Sequence, residues 1–206
     1  MKVSHILYKV ENLENSIKKF RDMGFIVQYG SKKNPHNALI YFSEGPYIEL
    51  LNKAPISGFL KTILRLIGKG KVADRFQKWE HEEEGFFELC FENYKSNFKK
   101  EQNILEQYGF DYFITKSSRT DPLNRVLTWK LLFPYELRLP FFMTYFNIDP
   151  KPKSFVHPNG VKKIQHIFYG VDTELIPVIN ELCLDETLKV TKGKGITSVI
   201  YETIDD

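Results

Sequence analysis

A pattern that occurs twice along this chain constrains its fold more than any other feature of the sequence. Residues 2–10 are rich in strand-forming side chains, and the next residues place three apolar side chains on one helix face, namely Leu13, Ile17 and Phe20. Gly24 ends that helix, because glycine readily adopts the left-handed conformation of a C-cap. Three short strands are predicted next, at 25–29, 37–42 and 47–51. Residues 1–53 therefore predict a βαβββ module.

A second copy of this pattern occupies residues 85–146. Its first strand is predicted at 86–91 and its helix at 94–108, and Gly109-Phe110 repeats Gly24-Phe25 at the helix end. Its remaining strands are predicted at 111–115, 125–133 and 137–142. An internal repeat is stronger evidence than local propensity. It predicts an α+β fold in which repeated βαβββ modules form a curved mixed sheet around a cleft.

Residues 54–84 interrupt the repeat with a basic amphipathic segment. Its apolar side chains follow a helical spacing: Phe59, Leu60, Ile63, Leu64, Leu66 and Ile67. A basic helix of this kind either packs on its own protein as a lid or connector, or binds a membrane or an acidic partner. We expect the apolar stripe to cover the cleft mouth or a neighbouring element, with the lysines in solvent.

Residues 155–206 predict a partial third module, which follows a linker at 147–154 that contains proline and lysine. Its strands are predicted at 163–171, 187–191 and 196–204, so a fourth strand is missing. The first of these strands would then keep an unpaired edge, which invites pairing with another chain. We expect this edge to pair with the first two modules or with a second copy. A homodimer is favoured, since two-fold dimers are the commonest assembly.

Composition and motifs exclude several classes of protein. A net charge of +3 is too small to indicate nucleic-acid binding. The two cysteines, Cys90 and Cys183, form no disulfide framework, which favours a cytoplasmic location. No leader peptide follows Met1, and no apolar run has the length of a transmembrane segment. The chain has no glycine-rich phosphate loop, Cys-x-x-Cys pair or nucleophile elbow.

Two residues with the chemistry of metal ligands fall on one face of the first module. Strand side chains alternate between the two faces of a sheet. His5 therefore points away from the side of its strand that packs under the helix, and Glu49 points the same way from the fourth strand. We expect His5 and Glu49 to share the face of the sheet that the helix does not cover.

The amino-acid sequences of both modules resemble the vicinal oxygen chelate superfamily, and most closely its bacterial glyoxalase-like domain family. The matching positions are His5, Val10, Asn12 and Leu13, then Asn37, then Tyr47-Ile48-Glu49-Leu50. The sequence segments 125–132 and 139–142 also resemble this family. A histidine that is usual in the loop after the second strand is absent from 30–34.

The resemblance implies that the uncovered face is concave and binds a divalent ion such as Zn, Fe, Mn or Ni. It assigns His5 and Glu49 as metal ligands. Catalytic metal sites usually have three protein ligands, so we expect a third from His166, which aligns with His5, or from Glu88. Glu88 is also the candidate catalytic base. The second module places Phe86 where His5 would stand and therefore offers no matching pair.

Further side chains are candidates for substrate binding. Arg125 and Arg138 suit an anionic substrate through bidentate contacts, or alternatively form surface salt bridges. Trp129 is a stacking platform or, as we favour, part of the core. The resemblance adds Asn37 and Tyr47. Three histidines in predicted loops have no spaced partners, and we expect them to be solvated: His36, His81 and His157.

Three functions are compatible with these features. The leading hypothesis is a metal-dependent enzyme that acts on a small molecule with adjacent oxygens, as a lyase, isomerase or dioxygenase, with the ion as Lewis acid. The alternative is a metal-free protein of the same fold that binds or sequesters a small hydrophobic or anionic compound. The third is an interaction module that docks through the helix at 59–67.

Overall fold

The computed structural model describes residues 1–54, 56–153 and 155–204. Pro55 of the predicted insertion, Ser154 of the predicted linker and 205–206 of the predicted third module lie outside the described residues.

The two predicted modules each contribute four strands to one eight-stranded sheet. The first module contains β1 (Lys2–Lys9), α1 (Leu13–Asp22), β2 (Gln28–Tyr29), β3 (Asn37–Ile40) and β4 (Tyr47–Leu51). The insertion contains α2 (Gly58–Leu66) and α3 (Gly70–His81). The second module contains β5 (Gly85–Asn93), α4 (Lys99–Gln107), β6 (Tyr112–Thr120), β7 (Val126–Pro134) and β8 (Phe141–Thr144). The sheet is mixed and curved, with the strand order β2-β3-β4-β1-β5-β8-β7-β6, which confirms the predicted fold class.

The two modules meet at their first strands, because β1 pairs antiparallel with β5. Within each module the fourth strand lies parallel to the first, β4 beside β1 and β8 beside β5. The fourth strand of the second module begins at Phe141, later than predicted. The predicted strand segment before it, which includes Arg138, forms a turn instead.

The two faces of the sheet pack against different elements. The outer face packs against α1 and α4 through one apolar cluster, which includes Ile6, Val10, Ile17 and Phe20. Asn12 caps α1, since its side chain accepts a hydrogen bond from the backbone N–H of Asn15 at 3.0 Å. The inner face carries Leu7 and Leu51 and packs against α2 and α3. The alternation predicted for the first module is therefore confirmed.

The insertion forms a pair of helices rather than the single predicted helix. Arg65 of α2 bonds to Asp74 and Gln77 of α3, and Leu64 is buried between the helices and the sheet. The prediction that the whole apolar stripe would be covered is wrong, since Phe59 is 76 % and Leu66 81 % exposed. An exposed apolar stripe is typical of an interaction surface, so the interaction module stays a prediction.

The predicted third module forms a separate three-stranded sheet on the outer face. It contains β9 (Val161–Val171), α5 (Ile176–Leu182), β10 (Leu188–Lys192) and β11 (Gly195–Thr203), in the order β10-β9-β11. β9 is thus the central strand, with β10 on one edge and β11 on the other. The prediction that β9 pairs along this edge with the first two modules or with a second copy is wrong, because β11 of the same module pairs there. The argument for a homodimer rested on that unpaired edge and no longer applies. The homodimer itself stays a prediction.

Within the described residues, no helix has both the length and the apolar character needed to cross a membrane.

Candidate functional site

A half-open cavity of about 180 Å³ lies on the inner face of the sheet. Its walls are largely aromatic and come from α3 and the second module: Phe76, Trp79, Trp129, Phe133, Phe141 and Phe146. A polar corner interrupts these walls and contains His5, Asn37, Tyr47, Glu49 and Arg119. The cavity is comparable in size with engineered apolar cavities that bind benzene. Its size and aromatic lining suit a small, mostly apolar molecule with a few polar atoms.

The parallel pairing of β1 and β4 brings His5 and Glu49 together. His5 lies opposite Tyr47 in register, and its ring stacks on the Tyr47 ring at 4.7 Å between centroids. Glu49 lies two residues further along β4, on the same face. The His5 Nε2 atom is 3.5 Å from the Glu49 Oε2 atom. The shared face predicted for these two residues is therefore confirmed.

His5 is neutral in this environment. Burial lowers the pKa of His5, the cations Arg119 and Lys151 act in the same direction, and together they bring it from 6.5 to about 3. Its Nδ1 atom lies 3.0 Å from the hydroxyl of Ser4, which donates its single proton to the sulfur of Met143 at 3.3 Å. The Ser4 oxygen therefore accepts from Nδ1–H, and we assign the proton of the ring to Nδ1. Nε2 then faces Glu49 as an unused acceptor.

Glu49 is oriented by the first half of the chain. Asn37 at the start of β3 donates from Nδ2 to the Oε1 atom of Glu49 at 2.7 Å. Gly30 makes room for this contact, because a Cβ atom there would lie 2.0 Å from Oδ1 of Asn37. Asn37 thus occupies one carboxylate oxygen and leaves Oε2 beside His5. Two acceptors 3.5 Å apart favour a hydrogen-bond donor or a cation between them.

Arg119 of β6 completes the polar corner from the second module. It donates from Nη1 to the carbonyl of Gly30 at 3.0 Å and from Nη2 to the hydroxyl of Tyr41 at 3.2 Å. Its Nε atom is buried and has no acceptor within the described residues. Burial raises the pKa of Tyr41 to about 12, so that hydroxyl stays protonated at neutral pH.

His5 and Glu49 would supply two of the protein ligands of a catalytic metal site, which is one fewer than such a site needs. Two ligands of one tetrahedral ion, with bonds of about 2.0–2.2 Å, lie about 3.4 Å apart, close to the separation seen here. A catalytic site of this kind takes three protein ligands. Across the described residues no cluster of three or more His, Cys, Asp and Glu side chains is placed to hold an ion. The residues present therefore do not fit a resident catalytic metal.

Glu88, the candidate base and third ligand, lies on the inner face but is already paired. Its Oε2 atom accepts from Arg75 Nη1 at 3.0 Å and from Trp79 Nε1 at 2.9 Å, both on α3. Arg75 is fully buried and also donates from Nη2 to three backbone carbonyls, those of Pro134, Glu136 and Leu139. This network attaches α3 to the sheet and so positions two walls of the cavity.

The structure places the other predicted site residues in different surroundings. His166 of β9 lines a separate polar pocket, away from His5. Arg125 bonds to Asp121 at 2.7 Å. Arg138 bonds to Glu136, Asp172 and Glu174. Trp129 does line the cavity, so of the predicted substrate-binding residues Asn37, Tyr47 and Trp129 are brought together and the two arginines are not.

Sequence reasoning missed several cavity residues. His36, predicted to be solvated, lines the cavity. His157, predicted likewise, is 2 % exposed and accepts from the backbone N–H of Ile26 at 2.9 Å, so that prediction is wrong; His81 ends α3 and is exposed. Arg119 had no motif to indicate it, and it lies beyond the strand predicted at 111–115, which in the structure continues to Thr120 as β6.

Comparison with known proteins agrees with this architecture. The glyoxalase-like domain family matches residues 3–177. The chain belongs to this family. It is also similar to a solved structure described as a hypothetical protein from Staphylococcus aureus, with a TM-score of 0.67 and 18 % identity over 100 % of this chain and 92 % of that chain. At that identity the likeness shows the fold alone. No curated protein matches the chain significantly.

Proposed function

We propose that this glyoxalase-like protein binds a small, flat, mostly apolar molecule in the inner-face cavity without a resident metal ion. The observation that carries the proposal is the cavity itself, with aromatic walls and a polar corner where, among the described residues, no third side chain joins His5 and Glu49 to complete a metal site. The ligand would place a hydroxyl or N–H donor against His5 Nε2 and Glu49 Oε2, which are otherwise unused acceptors. Binding, rather than turnover, is the function this site supports best.

The aromatic fluorophore 2-naphthol tests this proposal, since it is flat, apolar and carries one hydroxyl. We expect its fluorescence to change saturably on binding to the purified protein. Leu131→Trp fills the cavity and should weaken binding about tenfold or more, equivalent to about 1.4 kcal/mol. Leu123→Trp is the matched control, because Leu123 lies on the surface, 65 % exposed, and away from the cavity lining. Equal binding by both variants would contradict the proposal.

A metal-dependent enzyme is the second candidate, favoured by the separation of 3.5 Å between His5 and Glu49. Elemental analysis of the purified protein distinguishes it from the first. We expect far less than one transition-metal ion per chain, with no change in the double variant His5→Ala, Glu49→Ala. A stoichiometric ion that this double variant loses would reverse the choice.

A further inference from the structure

The polar corner of the cavity contains a cation without an anionic partner. Arg119 lines the cavity, and in the described part of the chain no carboxylate lies within ion-pair distance of its guanidinium. Its two acceptors are neutral, a backbone carbonyl and a tyrosine hydroxyl. A guanidinium has five N–H donors, so most of its donor capacity is unused. Burial of a charge costs stability unless it is offset, and here the Phe146 ring, whose centroid lies 5.8 Å from the guanidinium carbon, and the more distant charge of Glu49 offset part of that cost.

The one carboxylate in the lining does not serve as that partner. Glu49 accepts from Asn37 through Oε1, and its Oε2 atom faces His5. Arg119 is the only lysine or arginine among the described lining residues. Its buried Nε–H has no acceptor among the residues that the structure describes. An unpaired buried donor calls for an explanation, and an acceptor group of a ligand bound at this arginine supplies one.

We infer that the ligand carries a carboxylate, which binds Arg119. This inference rests on the proposed function and specifies its ligand class: a flat aromatic or unsaturated monocarboxylic acid with a hydroxyl or N–H donor. A planar carboxylate accepts two parallel N–H bonds from a guanidinium. One arginine matches one negative charge, and among the described residues that line the cavity there is no second lysine or arginine to bind a phosphate dianion.

Hydroxynaphthoates test the inference, because they add a carboxylate to the 2-naphthol frame. A set of positional isomers varies the separation between carboxylate and hydroxyl. We expect the best isomer to bind about tenfold or more tightly than 2-naphthol, as a hydrogen bond to a charged group implies. Arg119→Gln should remove this preference, so that the best hydroxynaphthoate and 2-naphthol bind this variant with affinities that differ by less than about twofold. Arg119→Lys should restore only part of it, since lysine keeps the charge but lacks the planar fork.

Lys116→Gln is the matched control, since Lys116 lies on the same strand, is exposed and does not line the cavity. It should leave the preference intact. If Arg119→Gln does not fold, the comparison of ligands on the unchanged protein still decides the matter. Binding of 2-naphthol without preference for any hydroxynaphthoate would overturn the carboxylate and spare the proposed function. Failure of all these compounds to bind would overturn both.

Discussion

Glu49 and Glu88 lie on the same inner face, yet their surroundings differ. Glu88 accepts from Arg75 and Trp79 and is 3 % exposed. Glu49 accepts only from Asn37 and otherwise faces an unused acceptor on His5. The first carboxylate is saturated and attaches α3 to the sheet. The second keeps an oxygen available at a cavity. Position on a face therefore does not separate a carboxylate that is already paired from one with an oxygen available to a ligand, whereas the donors already bound to it do.

The largest expected effect separates the two carboxylates by the same substitution. Glu88→Gln leaves Arg75 as an uncompensated buried charge and should lower the free energy of unfolding by about 3–5 kcal/mol. Glu49→Gln should change it by less than about 1 kcal/mol, since an amide can still accept from Asn37. Denaturant unfolding measures both. Equal losses of unfolding free energy in Glu88→Gln and Glu49→Gln would contradict the view that only Glu88 is needed to hold the structure together.

A second prediction concerns the helices that the Glu88 network holds in place. Leu64→Ala should lower the free energy of unfolding by about 2–3 kcal/mol, because Leu64 is buried under α3. Leu66→Ala is the matched control on the same helix and should lie within about 0.5 kcal/mol, because its side chain is exposed. A large loss from Leu66→Ala would mean that the stripe is covered in solution and would support a docked partner.

The neutral state of His5 makes stability depend on pH. Its pKa falls from 6.5 in the unfolded chain to about 3 in the folded protein. Between these values the unfolded state binds a proton that the folded state does not. The free energy of unfolding should therefore be fully retained above pH 6.5 and fall by about 1.4 kcal/mol per pH unit below it, as far as pH 3.

His5→Gln isolates this contribution, since the variant lacks the titrating ring and shares the other groups, including the buried His157. The difference in unfolding free energy between the two proteins, measured from pH 7 to pH 4, should change steadily in favour of the variant. Parallel curves would show that His5 is not held neutral by burial.

The smallest expected effect concerns the orientation of Glu49. Gly30→Ala should displace Asn37 and cost about 1 kcal/mol, the value of one hydrogen bond. Binding of 2-naphthol should weaken as well. Gly58→Ala is the control, because a Cβ atom there meets nothing within 4 Å. An unchanged affinity in Gly30→Ala would show that Asn37 does not position Glu49 for binding.

The sequence by itself determined the repeat, the element order of both modules and the common face of His5 and Glu49. These features depend on periodicity, and alternation along a strand is set by local backbone geometry. Asn37 and Tyr47 were indicated by the resemblance to the glyoxalase-like family, whose sequence pattern both positions match.

Only the tertiary structure decided which partners meet across long separations. Arg75 and Glu88 belong to different elements, and their pairing depends on how α3 docks on the sheet. Arg119 of β6 reaches Gly30, next to β2, because the curved sheet brings its two end strands towards each other. In the third sheet both edges of β9 are paired, because β11 pairs antiparallel with β9 on the side opposite β10. None of these contacts is local, and the order of strands in space depends on packing that no pattern within a single segment records.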